Sequence, residues 1–213
     1  FFFNDTAPTE LYTRSLFDAL PIVRRAVCAG LLCAAALPAL AQNARYEIDP
    51  DHLTLAFLVE HIGYARVLGQ FRKASGSYSF DEASGQLGAV RIEVETDSVT
   101  SQHNGRDRHL RGGDFLNASS FPRMVFTAAG GKRTGERQYE IEGVLELLGR
   151  KQPLTLTATW NKSAPSPITK VHTMGVSARG SFKRSAFGMD YGVANGWVGD
   201  EVQLLIEFEA IRK

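Results

Sequence analysis

The sequence predicts an all-β protein: an eight-stranded antiparallel barrel with one helical or loop insertion near residues 98–121. The first observation is a period of two, since Val90, Ile92 and Val94 of "VRIEVETDSV" share one face of an extended chain and charged residues occupy the other. One apolar and one polar face is typical of antiparallel strands. The second is that about eight such runs follow one another, near residues 45–60, 66–80, 87–97, 122–129, 137–147, 152–162, 170–183 and 199–212.

Strand length and strand edges favour a barrel over a sandwich. A run of about eleven residues at about 3.3 Å each gives a strand of ~35 Å, which suits a deep barrel. A closed barrel also leaves no exposed edge. Glycine-rich and polar segments such as "DEASGQLG" and "GGKRTGER" separate several of the runs, as expected of hairpin turns.

Residues 1–22 are expected to be a non-native leader. They show no alternation that would join them to the strands, and they carry acidic residues that the start of a secretory signal avoids (Asp5, Glu10 and Asp18). The stretch resembles translated sequencing-adapter DNA fused to the end of a gene. We therefore exclude it from the fold.

Residues 23–41 are expected to be a secretory signal. They begin with the pair Arg24-Arg25, continue through an apolar, alanine-rich run and end in small residues. A basic start, an apolar run too short to span a bilayer comfortably and small residues at the end are typical of such signals. We expect cleavage after Ala41; Pro38 disfavours a membrane anchor. The general secretory route and the twin-arginine route both stay open.

The expected mature domain, residues 42–213, contains no cysteine, because Cys28 and Cys33 both lie in the signal. This excludes disulfides, thiol nucleophiles and cysteine zinc sites. The formal net charge is +1, from 24 basic and 23 acidic residues, so the composition lacks the basic excess of a nucleic-acid-binding protein.

The apolar faces of the strands are predicted to point into the barrel. Their inward set mixes large residues with glycine, alanine and threonine, and an eight-stranded barrel can hold one small ligand. Alternation alone also fits a filled core without a guest. The residues predicted to line a cavity from the strands are Leu55, Phe57, Val59, Val90, Ile92, Val94, Phe126, Ile141, Val176, Phe182, Leu204, Ile206 and Phe208.

The insertion contains the charged run "RDRHLRGGDF", residues 106–115. We interpret it first as a loop organiser, in which Asp107 and Asp114 cap turns or pair with Arg106 and Arg111. In this interpretation the apolar residues of the run plug one end of the barrel (Leu110 and Phe115).

Two other functions of the charged run are considered. Arg106 and Arg111 could capture an anionic head, such as a pyrophosphate, through bidentate hydrogen bonds at a cavity mouth. A metal centre is disfavoured, because one histidine and two aspartates among arginines supply few ligands, and the nearby cations oppose a metal ion.

His52 and His61 flank the first predicted strand. Their spacing of nine residues places them on opposite faces, so they cannot share a metal ion from that strand. His61 lies on the apolar face and either contacts a ligand head at one barrel end or bonds to backbone in the following turn. Further along the chain, aromatic and methionine residues of a glycine-rich segment either line an opening or pack outside the barrel (Phe187, Met189 and Trp197).

Four ordered motifs resemble the YceI-like family of bacterial exported lipid-binding proteins. They are "YEIDPDHLTLAFLVEHIGYARVLGQFRKASGSYSFD", "DSVTSQHNGRDRHLRGGDFLNASSFPRMVFTA", "GVLELLGRKQPLTLTATW" and "GSFKRSAFGMDYG", and the resemblance runs from about Tyr46 to Lys213. It implies a lipocalin-like, eight-stranded barrel in the periplasm. It also implies an elongated cavity that binds polyisoprenoids, such as quinone or prenyl-phosphate tails.

We therefore expect periplasmic binding, transport or storage of a polyisoprenoid or similar long-chain lipid, without catalysis and without a cofactor. The polar head is expected near a mouth formed partly by residues 98–121. Two alternatives stay open. One is a lipid- or quinone-modifying enzyme that uses His61 or His109; the other is a scaffold for a membrane respiratory partner. A homodimer is compatible with each of these interpretations.

Overall fold

The computed structural model describes residues 43–213. The expected leader (1–22) and the expected signal (23–41), with both cysteines, lie outside the described residues. The elements are β1 (Ala44–His61), β2 (Ala65–Phe71), β3 (Ala74–Asp81), β4 (Gln86–Glu95), β5 (Val99–Thr100), α1 (Asn104–Arg111), β6 (Arg123–Arg133), β7 (Gln138–Leu147), β8 (Arg150–Pro165), β9 (His172–Lys183) and β10 (Val198–Arg212).

The predicted eight-stranded antiparallel barrel is confirmed. Neighbouring strands pair in the order β10-β9-β8-β7-β6-β4-β3-β1, and β10 pairs again with β1, which closes the sheet into a ring. Strands β2 and β3 share one position in the ring, because both pair with β1: β3 with its first residues and β2 with its last. Closure satisfies the backbone of the wall and leaves one face of each strand for the interior.

The single strand predicted over 66–80 is two strands, which is a correction. The chain breaks at Arg72 and Lys73, whose backbone N–H groups donate to Ser98, one to its carbonyl (3.2 Å) and one to its hydroxyl (3.1 Å). These bonds replace ladder bonds of a continuous strand. The short strand β5 then pairs with the end of β2.

The predicted insertion contains α1, the only α-helix among residues 43–213. It begins after His103, whose Nδ1 accepts a hydrogen bond from the backbone N–H of Arg106 (3.1 Å), as expected for an N-cap. No helix in the described part of the chain is long and apolar enough to cross a membrane.

The two ends of the barrel differ in packing. One end, which we call the mouth, carries the β1–β2 turn, α1 and the segment before β10. Towards the other end, the interior is filled by six aromatic residues that we call the aromatic floor: Tyr46, Tyr78, Phe80, Tyr139, Trp160 and Phe208. Tyr46 stacks on Tyr78 (centroids 5.3 Å apart), and Tyr78 meets the edge of Phe208 (6.3 Å). Phe80 packs in the same way against Tyr139 and Trp160. The aromatic floor fills one half of the barrel interior, so a cavity can lie only in the half near the mouth.

Candidate functional site

A cavity of about 390 Å³ occupies the mouth half of the barrel. Its wall consists of apolar side chains from most of the ring strands, and residues after α1 complete it. Among the described residues that line it, the charged and imidazole groups are few, and they lie towards the mouth: Glu60, His61, Arg106, His109 and Arg184. The site is therefore an apolar tube with a polar rim.

Most of the residues predicted to bind a ligand line this cavity. They come from β1, β4, β6, β9, β10 and α1, and on the strands they alternate as the period of two requires. They are Leu55, Phe57, Val59, His61, Ile92, Val94, Arg106, Phe126, Phe182, Leu204 and Ile206.

Four strand residues predicted for the lining lie outside the lining of this cavity. Val90 and Ile141 are buried in the core. Val176 and Phe208 pair with each other across β9 and β10 and pack against the same core. All four pack in or against the core cluster instead of lining the cavity.

Arg111 and Phe187 also lie outside the cavity lining. The guanidinium of Arg111 donates to the backbone carbonyls of Asp97 (2.7 Å) and Val99 (2.8 Å), which holds the chain before α1. Phe187 is only 2% exposed and packs edge-on against Phe182 (5.4 Å). Arg111 therefore fixes the loop before α1, and Phe187 packs against a residue of the cavity wall.

Several lining residues were not among the predicted site residues. On the strands they continue the same alternation, so the signal was present: Val67, Phe71, Met124, Leu145, Leu147, Leu154, Leu156 and Val202. Leu110 comes from α1, and three others come from irregular segments, where no period indicates a face: Phe115, Leu116 and Tyr191. Met189 and Trp197, which the sequence placed either at an opening or outside the barrel, also line the cavity.

Two glycines make room for aromatic rings of the lining. A Cβ atom at Gly69 would lie 2.2 Å from the Phe57 ring, and one at Gly143 would lie 2.4 Å from the Phe126 ring. Each ring therefore covers the bare backbone of a neighbouring strand. This placement of Phe57 and Phe126 against the wall keeps the centre of the barrel open.

Asp107 organises the loop by capping the turn before α1, which is one of the two roles predicted for it; the alternative, an ion pair with Arg106 or Arg111, is not formed by these described residues. The carboxylate of Asp107 accepts from the backbone N–H of Ser101 (2.7 Å) and from the Thr100 hydroxyl (3.1 Å), and its side chain is buried. Arg106 instead donates to the Ser101 hydroxyl (2.7 Å) and carbonyl (2.8 Å). Asp114 contacts His109 Nε2 (2.8 Å).

The histidines occupy separate surroundings. His109 lies between the rings of Phe115 and Tyr191, each with its centroid 4.9 Å away. His61 lines the mouth, whereas His52 contacts Asp49 (2.8 Å) outside the cavity. Within residues 43–213, no group of three or more His, Cys, Asp or Glu side chains could hold a metal ion.

A serine, a histidine and an acid also meet near the filled end. Ser163 Oγ and Glu82 Oε1 both contact His172 Nε2, at 2.8 and 2.9 Å. A catalytic triad requires the acid and the serine on opposite ring nitrogens. Glu82 also accepts from the Tyr46 hydroxyl, and burial raises the pKa of Tyr46 to about 12. The arrangement is therefore a hydrogen-bonded cluster near the filled end that lacks the geometry of a catalytic triad.

The carboxylate of Asp107 predicts a pH dependence of stability. Desolvation alone would raise its pKa, but hydrogen bonds from Ser101 and Thr100 outweigh it and hold the pKa below the ordinary value. A lowered folded-state pKa stabilises the protein above about pH 4, the unfolded value, and this contribution is lost as the pH falls further. At neutral pH, Asp107→Asn is expected to lower the free energy of unfolding by about 1–3 kcal/mol.

Urea unfolding at neutral pH and near pH 3 measures this effect. The difference between the wild type and Asp107→Asn should shrink at the lower pH, because the wild-type carboxyl is then partly protonated. Asp97→Asn is the matched control, since Asp97 is exposed and lies close by in sequence. An Asp107→Asn effect that does not change with pH would contradict the interpretation.

Comparison with known proteins places the fold and the sequence in one group. The YceI-like domain family matches residues 46–210 of the chain. A UPF0312 protein of Azotobacter vinelandii is 33% identical over 175 residues, which cover 81% of this chain and 90% of the relative.

Two solved structures share the fold. BcnA of Burkholderia cenocepacia superimposes with a TM-score of 0.69 at 21% identity and covers 76% of this chain and 98% of its own. A polyisoprenoid binding domain from Saccharophagus degradans, described as implicated in plant cell wall breakdown, has a TM-score of 0.59 at 13% identity, covering 81% of this chain and 100% of its own. At these identities, the likeness establishes the barrel architecture.

Proposed function

Because the chain belongs to the YceI-like family, we propose that it binds a polyisoprenoid, such as a quinone or prenyl phosphate, or a similar long-chain lipid. We further propose that it carries or stores this lipid in the periplasm. The observation that supports the proposal most directly is the apolar cavity inside a closed barrel. The polyisoprenoid binding domain among the proteins of the same fold supports the ligand class.

The cavity suits a chain rather than a compact molecule. On β1 the lining runs from Leu55 to His61, which corresponds to about 20 Å of strand. Each methylene that leaves water for such a tube contributes about 0.8 kcal/mol. The tail is bounded below by the aromatic floor, so its length inside the barrel is limited by packing.

The polar head belongs at the mouth in this proposal. Arg106 is exposed there, and its guanidinium has donors beyond the two used by Ser101. His61 and His109 line the same opening. We assign these groups contacts to a phosphate or quinone oxygen, with the histidines serving as contacts and not in turnover. Arg111 contributes indirectly, by fixing the loop.

The experiment that tests the function is identification of the co-purified lipid. The full chain is expressed in a quinone-producing bacterium, purified without detergent, extracted with organic solvent and examined by lipid mass spectrometry. We expect an isoprenoid or other long-chain lipid in near-stoichiometric amount. Recovery of no lipid from well-folded protein would refute the proposal. The matched cavity variant for this experiment, Leu204→Asp, is argued in the Discussion.

A further inference from the structure

Four large apolar or aromatic side chains are exposed around the mouth of the cavity. We call Ile62, Tyr64, Tyr191 and Trp197 the rim patch; their exposed fractions are 47%, 89%, 38% and 54%. They are half of the eight large hydrophobic side chains exposed in the described part of the chain. Exposed apolar groups that gather at one place mark an interaction surface more often than scattered ones do.

The rim patch is continuous with the cavity. Ile62, Tyr191 and Trp197 also line it, so the same side chains face both the lumen and the surroundings. The two turns that carry the patch are joined by a hydrogen bond from the Ile62 N–H to the Trp197 carbonyl (3.2 Å). Whatever covers this patch therefore also covers the entrance to the cavity.

The backbone at Ile62 places a β-branched apolar residue in a conformation that carries a cost. Its φ is +53°, in the left-handed region that glycine and asparagine adopt far more readily than a β-branched residue. In an exposed turn, isoleucine at such a position gains no burial that would offset the strain. The strain is consistent with a role in contact rather than in folding.

The chemistry of the mouth fits a lipid surface. Tyrosine and tryptophan, each with an apolar body and a polar tip, are enriched where a membrane meets water. Beside the patch, α1 exposes Arg106 and Arg108 while its one acid, Asp107, is buried, so the exposed charged groups of this helix complement lipid phosphates.

Acidic side chains lie at the mouth as well. Glu60 lines the cavity, and Asp190 precedes Tyr191. These acids partly offset the positive charge of the α1 arginines. Insertion of the rim patch should contribute more to binding than electrostatic attraction does.

We propose that the rim patch docks on the surface of a lipid bilayer, with the α1 arginines at the phosphate level. The mouth then opens directly into the lipid, and a tail passes between bilayer and barrel without crossing water. This inference rests on the proposed function, since it gives the route by which the proposed ligand enters. It adds the surface and the partner.

The test uses Trp197 as a local probe. The sequence has two tryptophans, so Trp160→Phe in the full chain leaves Trp197 alone. Vesicles of phosphatidylcholine and phosphatidylglycerol with brominated acyl chains are titrated into this protein. We expect a blue shift and quenching of the Trp197 emission, with somewhat weaker binding to vesicles of phosphatidylcholine alone.

Two substitutions, at Ile62 and Tyr64, remove half of the rim patch and leave the probe in place. Ile62→Asn places a residue suited to the left-handed region in the turn, so the protein should fold at least as well. Combined with Tyr64→Ser, it should raise the lipid concentration for half-maximal quenching at least tenfold. Ile168→Ser is the matched control, because Ile168 is 87% exposed in the β8–β9 turn at the other end of the barrel. It should change nothing.

The outcomes separate docking from ligand binding. If Trp197 is unaffected by vesicles, or if the patch variant and the Ile168→Ser control behave alike, docking on lipid is refuted. In that case a lipid in the extract would still support the proposed function. If vesicles quench Trp197 but the extract contains no lipid, docking stands and the proposed function fails. Retention of lipid by Tyr64→Ser alone, whose side chain is outside the cavity lining, with slower uptake from vesicles, would support both.

Discussion

Leu204→Asp is expected to abolish lipid binding while the barrel stays folded. Leu204 lies on β10, opposite Phe57 on β1, and its side chain faces the cavity. When no lipid is bound, the carboxylate of an aspartate at position 204 can stay hydrated inside the cavity. A lipid tail would have to remove that water, and an ionised carboxylate without a partner is costly to bury. We expect the affinity for the extracted lipid to fall at least ~100-fold, which corresponds to about 2.8 kcal/mol.

The control for this variant is the adjacent residue. Gln203→Asp introduces the same group on the outer face of β10, where Gln203 already accepts a hydrogen bond from Arg66 (2.8 Å). Lipid content after extraction and urea unfolding are measured for both variants. Gln203→Asp should retain the lipid. Equal retention by the two variants would place the ligand outside the cavity, whatever their stabilities.

The choice of position 204 shows how far sequence reasoning reached. The period of two identifies which side chains face inwards, and Leu204, Ile206 and Phe208 satisfy it equally. Their depth in the barrel decides whether they meet a guest. Phe208 packs against Tyr78, which is brought next to it only when the ring closes. No local pattern contains that information, so the period of two does not indicate where along the barrel the cavity ends.

The insertion shows a different limit. Its charged composition correctly indicated an organised loop between strands, but it did not decide between turn capping by Asp107 and pairing of Asp107 with arginines, and the structure shows capping. The arginines bind backbone carbonyls, as in the contacts of Arg111 with Asp97 and Val99. Every residue carries a carbonyl, so a sequence does not indicate which of them will be left without a partner in the folded chain. The sequence indicated side-chain acceptors for the arginines, whereas the folded chain provides backbone carbonyls as acceptors.

Arg184→Met is expected to have the largest effect on stability. Arg184 is 1% exposed, and its guanidinium donates to four backbone carbonyls: Gly199 (2.7 Å), Met189 (2.9 Å), Tyr191 (2.8 Å) and Val198 (2.7 Å). Burial lowers the pKa of this group, while nearby Asp200 and Asp190 act in the opposite direction. Methionine fills similar space but donates nothing. At about 1 kcal/mol for each lost bond, the free energy of unfolding should fall by ~4 kcal/mol.

The same bonds connect stability to the mouth of the cavity. All four acceptors lie between residues 189 and 199, the segment that carries Tyr191 and Trp197 and leads into β10. The guanidinium also lies over the Phe115 ring, with its central carbon 5.7 Å from the centroid, so it joins this segment to the residues after α1. Loss of Arg184 should therefore loosen the mouth first. Hydrogen exchange should rise in residues 189–199 before it rises in β7 and β8.

The decisive comparison is between charge and shape. Arg184→Lys keeps the positive charge, but an ammonium group has three donors on one atom and cannot reach four carbonyls spread around a planar fork. We expect it to recover little of the loss, as measured by urea unfolding. Arg45→Met is the control, because the Arg45 side chain pairs, among the described residues, only with Glu47 on the exposed outer wall and its loss should cost less than about 1 kcal/mol. Full recovery by lysine would mean that the charge alone stabilises the segment, and would refute the role given to the four directed bonds.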